Sequence, residues 1–207
     1  MVKQPLLKHR TVSERTFEIV PYLVPKEIAS LISEAKSNRN GERDSLFILL
    51  LFETGLRVSE ALSVTPTKID LFEEKPVLRI VGKGGKPRIV ACPKILADKL
   101  HTYAKKKNIK PDQRIFPINR QRIWQILKEV SKRAGFTKRI YPHLLRHSDA
   151  IERLRQTGNP KALQHHLGHS SIIMVMRYLS TLTKEDSLRI QQQVKFGDLE
   201  QEYKTKK

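Results

Sequence analysis

One cysteine, Cys92, is present among 207 residues. No intrachain disulfide is possible, and neither a cysteine-based zinc site nor a secreted disulfide scaffold fits, so the expected setting is a reducing cytoplasm. Long hydrophobic runs are also missing. The longest, Leu46 to Phe52, is far short of the roughly 18 residues that suggest a membrane span. The opening MVKQPLLKHR carries no apolar signal core, which leads to the expectation of a soluble protein. There is no internal repeat and no low-complexity linker. Acidic residues are scarce beside basic ones: 21 Asp and Glu against 40 Lys and Arg leave a net charge of +19. Such an excess favours a polyanionic partner, nucleic acid first, over an acidic small molecule. The basic residues are scattered through core-forming sequence rather than gathered in a tail, which argues against a membrane surface as the partner.

What the chain does hold is mostly helical pattern. The first twenty residues are basic, show no sustained period and are expected to form an extended arm. From Pro25, Ile28, Leu31, Ile32 and Ala35 recur at helical spacing, with the proline suited to a first turn. ERDSLFILLLFETG is apolar on every side across its middle, which predicts a helix buried at the centre and ended by Gly55. A short helix follows Arg57. VLRIV and PRIVA flank GKGGK and predict a hairpin with Lys83 in its turn. Beyond Pro93 the helical pattern returns, with Ile123, Ile126, Leu127 and Val130 facing inward, new helices opening at Pro142, Pro160 and Ser171, and a last amphipathic stretch in TKEDSLRIQQQV. The fold class is therefore α+β, mainly helical, with a small antiparallel β-sheet packed on a helical core.

Several polar residues carry chemistry. His143 and Arg146 lie three apart in PHLLRHSDA, on one face near a helix N-terminus, a place that attracts phosphate. His143 can hold or pass a proton, and Arg146 can pair with two phosphate oxygens at once. Arg57 follows the glycine that ends the buried helix, and Glu60, one turn on, is placed to orient it by an i,i+3 ion pair. Lys83 can reach from its flexible turn to protonate a departing alkoxide; GKGGK is not a P-loop, because the GxxxxGK[ST] spacing is absent. His169 follows a helix-ending glycine, and Tyr178 comes nine residues later. A phenol, with a pKa of about 10, attacks phosphorus well only when a base or nearby cations favour its phenolate. Singly, each of these reads as well or better as a solvated basic face, a surface ion pair or, for Tyr178, an aromatic packing with Met174 and Leu182.

Taken in order, Arg57, Lys83, His143, Arg146, His169 and Tyr178 stand in TGLRVSEAL, GKGGKPR, HLLRH, LGHSS and MRYLS. This ordered set resembles the tyrosine recombinase (phage integrase) family, from about Pro25 to the final helix. The resemblance implies the integrase catalytic-domain fold and a DNA breaking and rejoining enzyme. Tyr178 would attack the scissile phosphate to give a 3′-phosphotyrosine and a free 5′-hydroxyl. Arg57 and Arg146 would stabilise the charge on the equatorial oxygens, with His169 as a further donor. Lys83 would protonate the leaving oxygen, His143 would assist proton transfer at the tyrosine, and Glu60 and His147 would be supporting residues. No cofactor, metal, ATP or small-molecule substrate is implied. The implied partner is double-stranded DNA, bound in a homotetrameric synapse by a DNA-associated cytoplasmic protein.

The expected organisation is a basic arm over 1–20, a catalytic domain over 21–182, and a C-terminal helix with a polar tail over 183–207. Leu188, Ile190 and Val194 are the apolar contacts of that helix, docked on a neighbour or on its own domain. Family members usually carry a separate helical domain that completes a clamp on DNA; here either the chain is a catalytic fragment or the arm takes that part. Asp149 and His166 replace more usual apolar residues. Rival readings are a cleavage-inactive DNA-binding regulator, a type IB topoisomerase and a histidine metal site. The last is weakened because HLLRH lacks the glutamate of HExxH and holds an arginine that would repel a cation.

Overall fold

The computed structural model describes residues 21–169, 171–181 and 190–194, and of Lys83 the backbone alone. The segment 1–20, Leu182, Leu188 and most of the anticipated C-terminal helix lie outside the described residues. Helix α1 (Pro25–Lys36) starts on the expected proline and buries Ile28, Leu31 and Ala35. It packs on α2 (Gly41–Thr54), whose Leu46, Phe47, Ile48, Leu50 and Leu51 are all buried. The all-round apolarity of α2 thus matches a central position. Gly55 ends it in the left-handed region at φ 58°, a conformation that glycine adopts without strain. The short α3 (Val58–Ala61) then leads to the sheet.

That sheet has three antiparallel strands in the order β1 (Ile69–Phe72), β2 (Lys75–Val81), β3 (Pro87–Ala91). The expected hairpin is β2–β3, and its turn is a short 3₁₀ segment, Lys83–Gly85. Strand β1 goes beyond the expectation. Its four residues, IDLF, turn into β2 through Glu73 and Glu74, both at positive φ, and so lack the Asn-Gly or Gly-Gly signal that marks such turns in sequence. Helices α4 (Lys94–Lys106), α5 (Arg120–Arg133), α6 (Pro142–Thr157), α7 (Pro160–Leu167) and α8 (Ile173–Leu179) follow among the described residues. Among the described residues no helix is long and apolar enough to cross a membrane.

Two hydrophobic clusters form. The larger gathers α1 to α5, the inner face of the sheet and the first turn of α6, through Leu144 and Leu145. The smaller is built by Ala150, Ile151 and Leu154 of α6, Leu163 and Leu167 of α7, and Val175 and Tyr178 of α8. Helix α6 therefore passes from one core to the other, and Arg146 lies where it crosses.

Candidate active site

Arg146 is 3% exposed. A buried guanidinium needs partners for its donors. Here Nη1 donates to the carbonyl of Gly55 and Nη2 to the carbonyl of Leu167 at 2.7 Å. Gly55 caps α2 and Leu167 is the last residue of α7, so the cation rests on carbonyls that helix ends leave without intrahelical donors, at the negative ends of two helix dipoles. Burial, and then the nearby charge of Arg57, lower its pKa to about 10. It stays a cation at neutral pH.

The same Nη2 lies 3.1 Å from His169 Nε2. Since arginine only donates, Nε2 is the acceptor and the ring proton sits on Nδ1. That Nδ1 is buried without a hydrogen-bond partner among the described residues. His169 follows Gly168, the left-handed cap of α7. Burial together with Arg146 and Arg57 brings its pKa down to about 4, so the ring is neutral.

Tyr178, in α8, is 3% exposed and its hydroxyl lies 3.0 Å from His147 Nδ1. The imidazole within hydrogen-bonding range of the phenol is therefore that of His147, whereas the family resemblance pointed to His143. His143 stands one turn earlier on α6, exposed, its ring centroid 6.4 Å from that of His147. Burial, then His143 and Arg146, hold His147 at about 4, so at neutral pH it has a lone pair free to accept the phenolic proton. Burial raises the Tyr178 pKa, while Arg146 and Arg57 pull it the other way. Partial desolvation, Arg146, Arg57 and Arg120 likewise depress His143.

Arg57 is the residue just before α3. Its backbone N–H donates to Glu60 Oε2 at 2.8 Å and its Nη1 to Oε1 at 3.0 Å. Glu60 is 5% exposed, and burial alone would favour its neutral form. Hydrogen bonds from Arg88 and Arg57 outweigh that and hold the carboxyl at about 2. Arg88, on β3, grips both carboxylate oxygens at 2.8 and 2.9 Å. It was not among the residues singled out from sequence, because its signal lies in the register of the sheet. Arg88 pairs across the sheet with the buried Ile80, and an arginine on the inner face of a sheet calls for a carboxylate partner. Lys83 stands at the hairpin turn, and its side chain lies outside the described residues.

Behind Arg146, the two unusual residues meet. Asp149, 3% exposed, accepts from Arg153 Nε at 2.6 Å, and its other oxygen is 3.7 Å from His166 Nε2. Burial pushes Asp149 up to about 7 and His166 down to about 3. Below about pH 7 the carboxyl therefore takes up a proton while the imidazole stays neutral. Among the described residues no group of three or more His, Cys, Asp and Glu side chains is arranged to hold a metal ion.

Two buried or half-buried arginines, two neutral imidazoles and a phenol thus converge between α3, α6, α7 and α8. The model of the phage integrase family matches residues 21–185 of this sequence. The chain belongs to the phage integrase family. Among its relatives, tyrosine recombinase XerA of Thermococcus kodakarensis is 33% identical over 189 residues, covering 85% of this chain and 65% of the relative. Tyrosine recombinase XerD of Corynebacterium glutamicum is 37% identical over 157 residues, 71% of this chain and 50% of the relative. This integrase-family chain therefore spans between half and two thirds of the length of these curated relatives. Its fold is that of the XerA recombinase crystal structure, with a TM-score of 0.69 and 25% identity over 86% of this chain and 67% of the other. The catalytic domain of bacteriophage HP1 integrase aligns with a TM-score of 0.61 and 26% identity over 87% of this chain and 97% of that domain.

Proposed function

We propose that this chain is the catalytic part of a site-specific DNA recombinase that breaks and rejoins DNA through Tyr178. The observation that carries the reading is the 3.0 Å contact between the Tyr178 hydroxyl and a neutral His147, one residue from the buried cation of Arg146. The phenolic proton passes to His147 as the phenolate oxygen bonds to phosphorus. The bond from phosphorus to the 5′-oxygen breaks, and Lys83 supplies the proton that makes it a hydroxyl. Arg57 and Arg146 face the charge that builds on the non-bridging oxygens, a form of stabilisation that preorganised cations supply well. His169 accepts from Arg146 through Nε2 and so orients that guanidinium toward the phosphate, and His143 contributes at the exposed rim.

The 3′-phosphotyrosine conserves the energy of the phosphodiester, so a 5′-hydroxyl from a second duplex reverses the step with neither ATP nor metal. The net charge of +19 supports double-stranded DNA as the substrate, and exchange between duplexes calls for a homotetrameric synapse. A duplex nicked near the cleavage point, which loses its short 5′-hydroxyl fragment and traps the intermediate, tests the reading. A covalent protein–DNA adduct is expected with the natural chain and none with Tyr178→Phe. An adduct that persists in Tyr178→Phe would remove Tyr178 as the nucleophile.

A further inference from the structure

Arg88 touches α3, the root of the β2–β3 hairpin and the cap of α7. Its guanidinium binds both oxygens of Glu60, the carboxylate that also takes the backbone N–H and Nη1 of Arg57. It also fills the space beside two glycines. A Cβ on Gly82, the residue before Lys83, would stand 2.9 Å from Arg88 Nη1. A Cβ on Gly168, the residue before His169, would stand 3.0 Å from Arg88 Cδ and Nε. One side chain, 14% exposed, thus lies against the residues next to Lys83 and His169 and, through Glu60, holds Arg57. We propose that Arg88 is a positioning residue for DNA cleavage, which fixes Arg57 through their shared carboxylate and sets the hairpin root and the α7 cap against each other.

The two-point grip is the feature that does this. Glu60 is nearly buried, so its oxygens have few alternative partners, and a bidentate guanidinium fixes the plane of the carboxylate as well as its distance. Arg57 takes its backbone and side-chain bonds from that same plane, so a tilt of Glu60 is passed directly to the Arg57 guanidinium. A lysine at position 88 keeps the charge but makes a point contact, and the plane is then free to turn.

The role rests on the recombinase reading, and a single-turnover measurement with the nicked duplex separates the two. Natural chain, Arg88→Met, Arg88→Lys, Glu60→Gln and the Arg88→Met/Glu60→Gln pair are compared for adduct rate, DNA affinity and melting temperature. Arg88→Met is expected to slow adduct formation by roughly 100-fold, the scale of an ångström-level misplacement of catalytic groups, with DNA affinity preserved. Arg88→Lys is expected to keep the melting temperature near that of the natural chain and to recover only part of the rate, which keeps the role open to test if Arg88→Met fails to fold. In the Glu60→Gln background, Arg88→Met is expected to add little, because the two act through one contact.

A natural chain that forms no adduct defeats the recombinase reading and this role with it. If the natural chain cleaves, Arg88→Lys at the full rate overturns the positioning role alone. So does a pair of variants whose losses multiply, and so does a rate loss matched by equal losses of affinity and melting temperature.

Discussion

Arg57, Glu60 and Arg88 stand on the larger hydrophobic cluster, flanked by Leu56, Val58, Ala61 and Val90, all of which belong to it. Tyr178 instead is itself a member of the smaller cluster, which among the described residues holds six other buried side chains. Among the described residues, Arg57 is thus mounted on the more extensively packed cluster and the proposed nucleophile on the smaller one. Stability is not uniform across a fold, and segments with few buried contacts open first. Arg146 joins the two regions. One of its nitrogens holds the Gly55 carbonyl on the larger side and the other the Leu167 carbonyl on the smaller, so the proposed phosphate-binding group also fastens the cluster of Tyr178 to the main core.

The sharpest way to break this arrangement is Arg146→Ala. Losing a preorganised donor to the transition state alone costs about 10²–10³ in rate, and here two buried carbonyls lose their partner as well. Adduct formation is expected to become undetectable while binding to duplex DNA persists, since the many other basic residues carry the electrostatic attraction. Equal loss of binding and cleavage would make Arg146 a DNA-anchoring residue instead.

A less severe comparison removes one leucine from each cluster. Leu51 and Leu154 are both fully buried, and a buried Leu→Ala change costs about 2–5 kcal/mol. Leu51→Ala is expected to lower the denaturant midpoint of the whole domain, with the adduct rate of the remaining folded protein unchanged. Leu154→Ala is expected to speed amide exchange in α7 and α8 selectively and to slow adduct formation under conditions where the fold persists. Matching exchange profiles for the two variants would show one cooperative core rather than two.

This division was only partly legible in the sequence. The buried α2 was readable because leucine, isoleucine and phenylalanine cover all its faces, and the ordered motifs around Arg57, Arg146, His169 and Tyr178 mark residues that do meet in space. What could not be read is anything that depends on how elements dock. His143 and His147 share one face of α6, and only the position of α8 decides which imidazole meets the phenol; it is His147. Arg88 was hidden for a similar reason: in PRIVA it is one basic residue among strand formers, and its role emerges only from its register opposite Ile80 and its reach to Glu60. Asp149 and His166, read as unexplained departures, are 17 positions apart in sequence and form one buried pair.

The smallest expected effect is on the pH dependence of stability, and it too separates the regions. His147 and His169 are both held near 4, below the ordinary 6.5. In the unfolded chain each takes up a proton as pH falls through about 6.5, whereas in the fold each stays neutral until about 4. The unfolded state then binds more protons, so stability rises with pH across this window and is lost on acidification. Asp149 and His166 contribute oppositely. The folded carboxyl, raised to about 7, keeps a proton that the unfolded one has lost, and the folded imidazole, lowered to about 3, lacks one that the unfolded ring has gained. The pair carries one proton in either state, and its two slopes cancel. Melting temperature is therefore expected to fall between pH 6.5 and 4 in the natural chain, and to keep that slope when Asp149 and His166 are both replaced by leucine. Replacing His147 with glutamine is expected to make it shallower, His169 supplying the slope that remains. If instead the Asp149/His166 double variant flattens the curve, the folded pair carries no titrating proton, with Asp149 ionised beside Arg153 and His166 neutral.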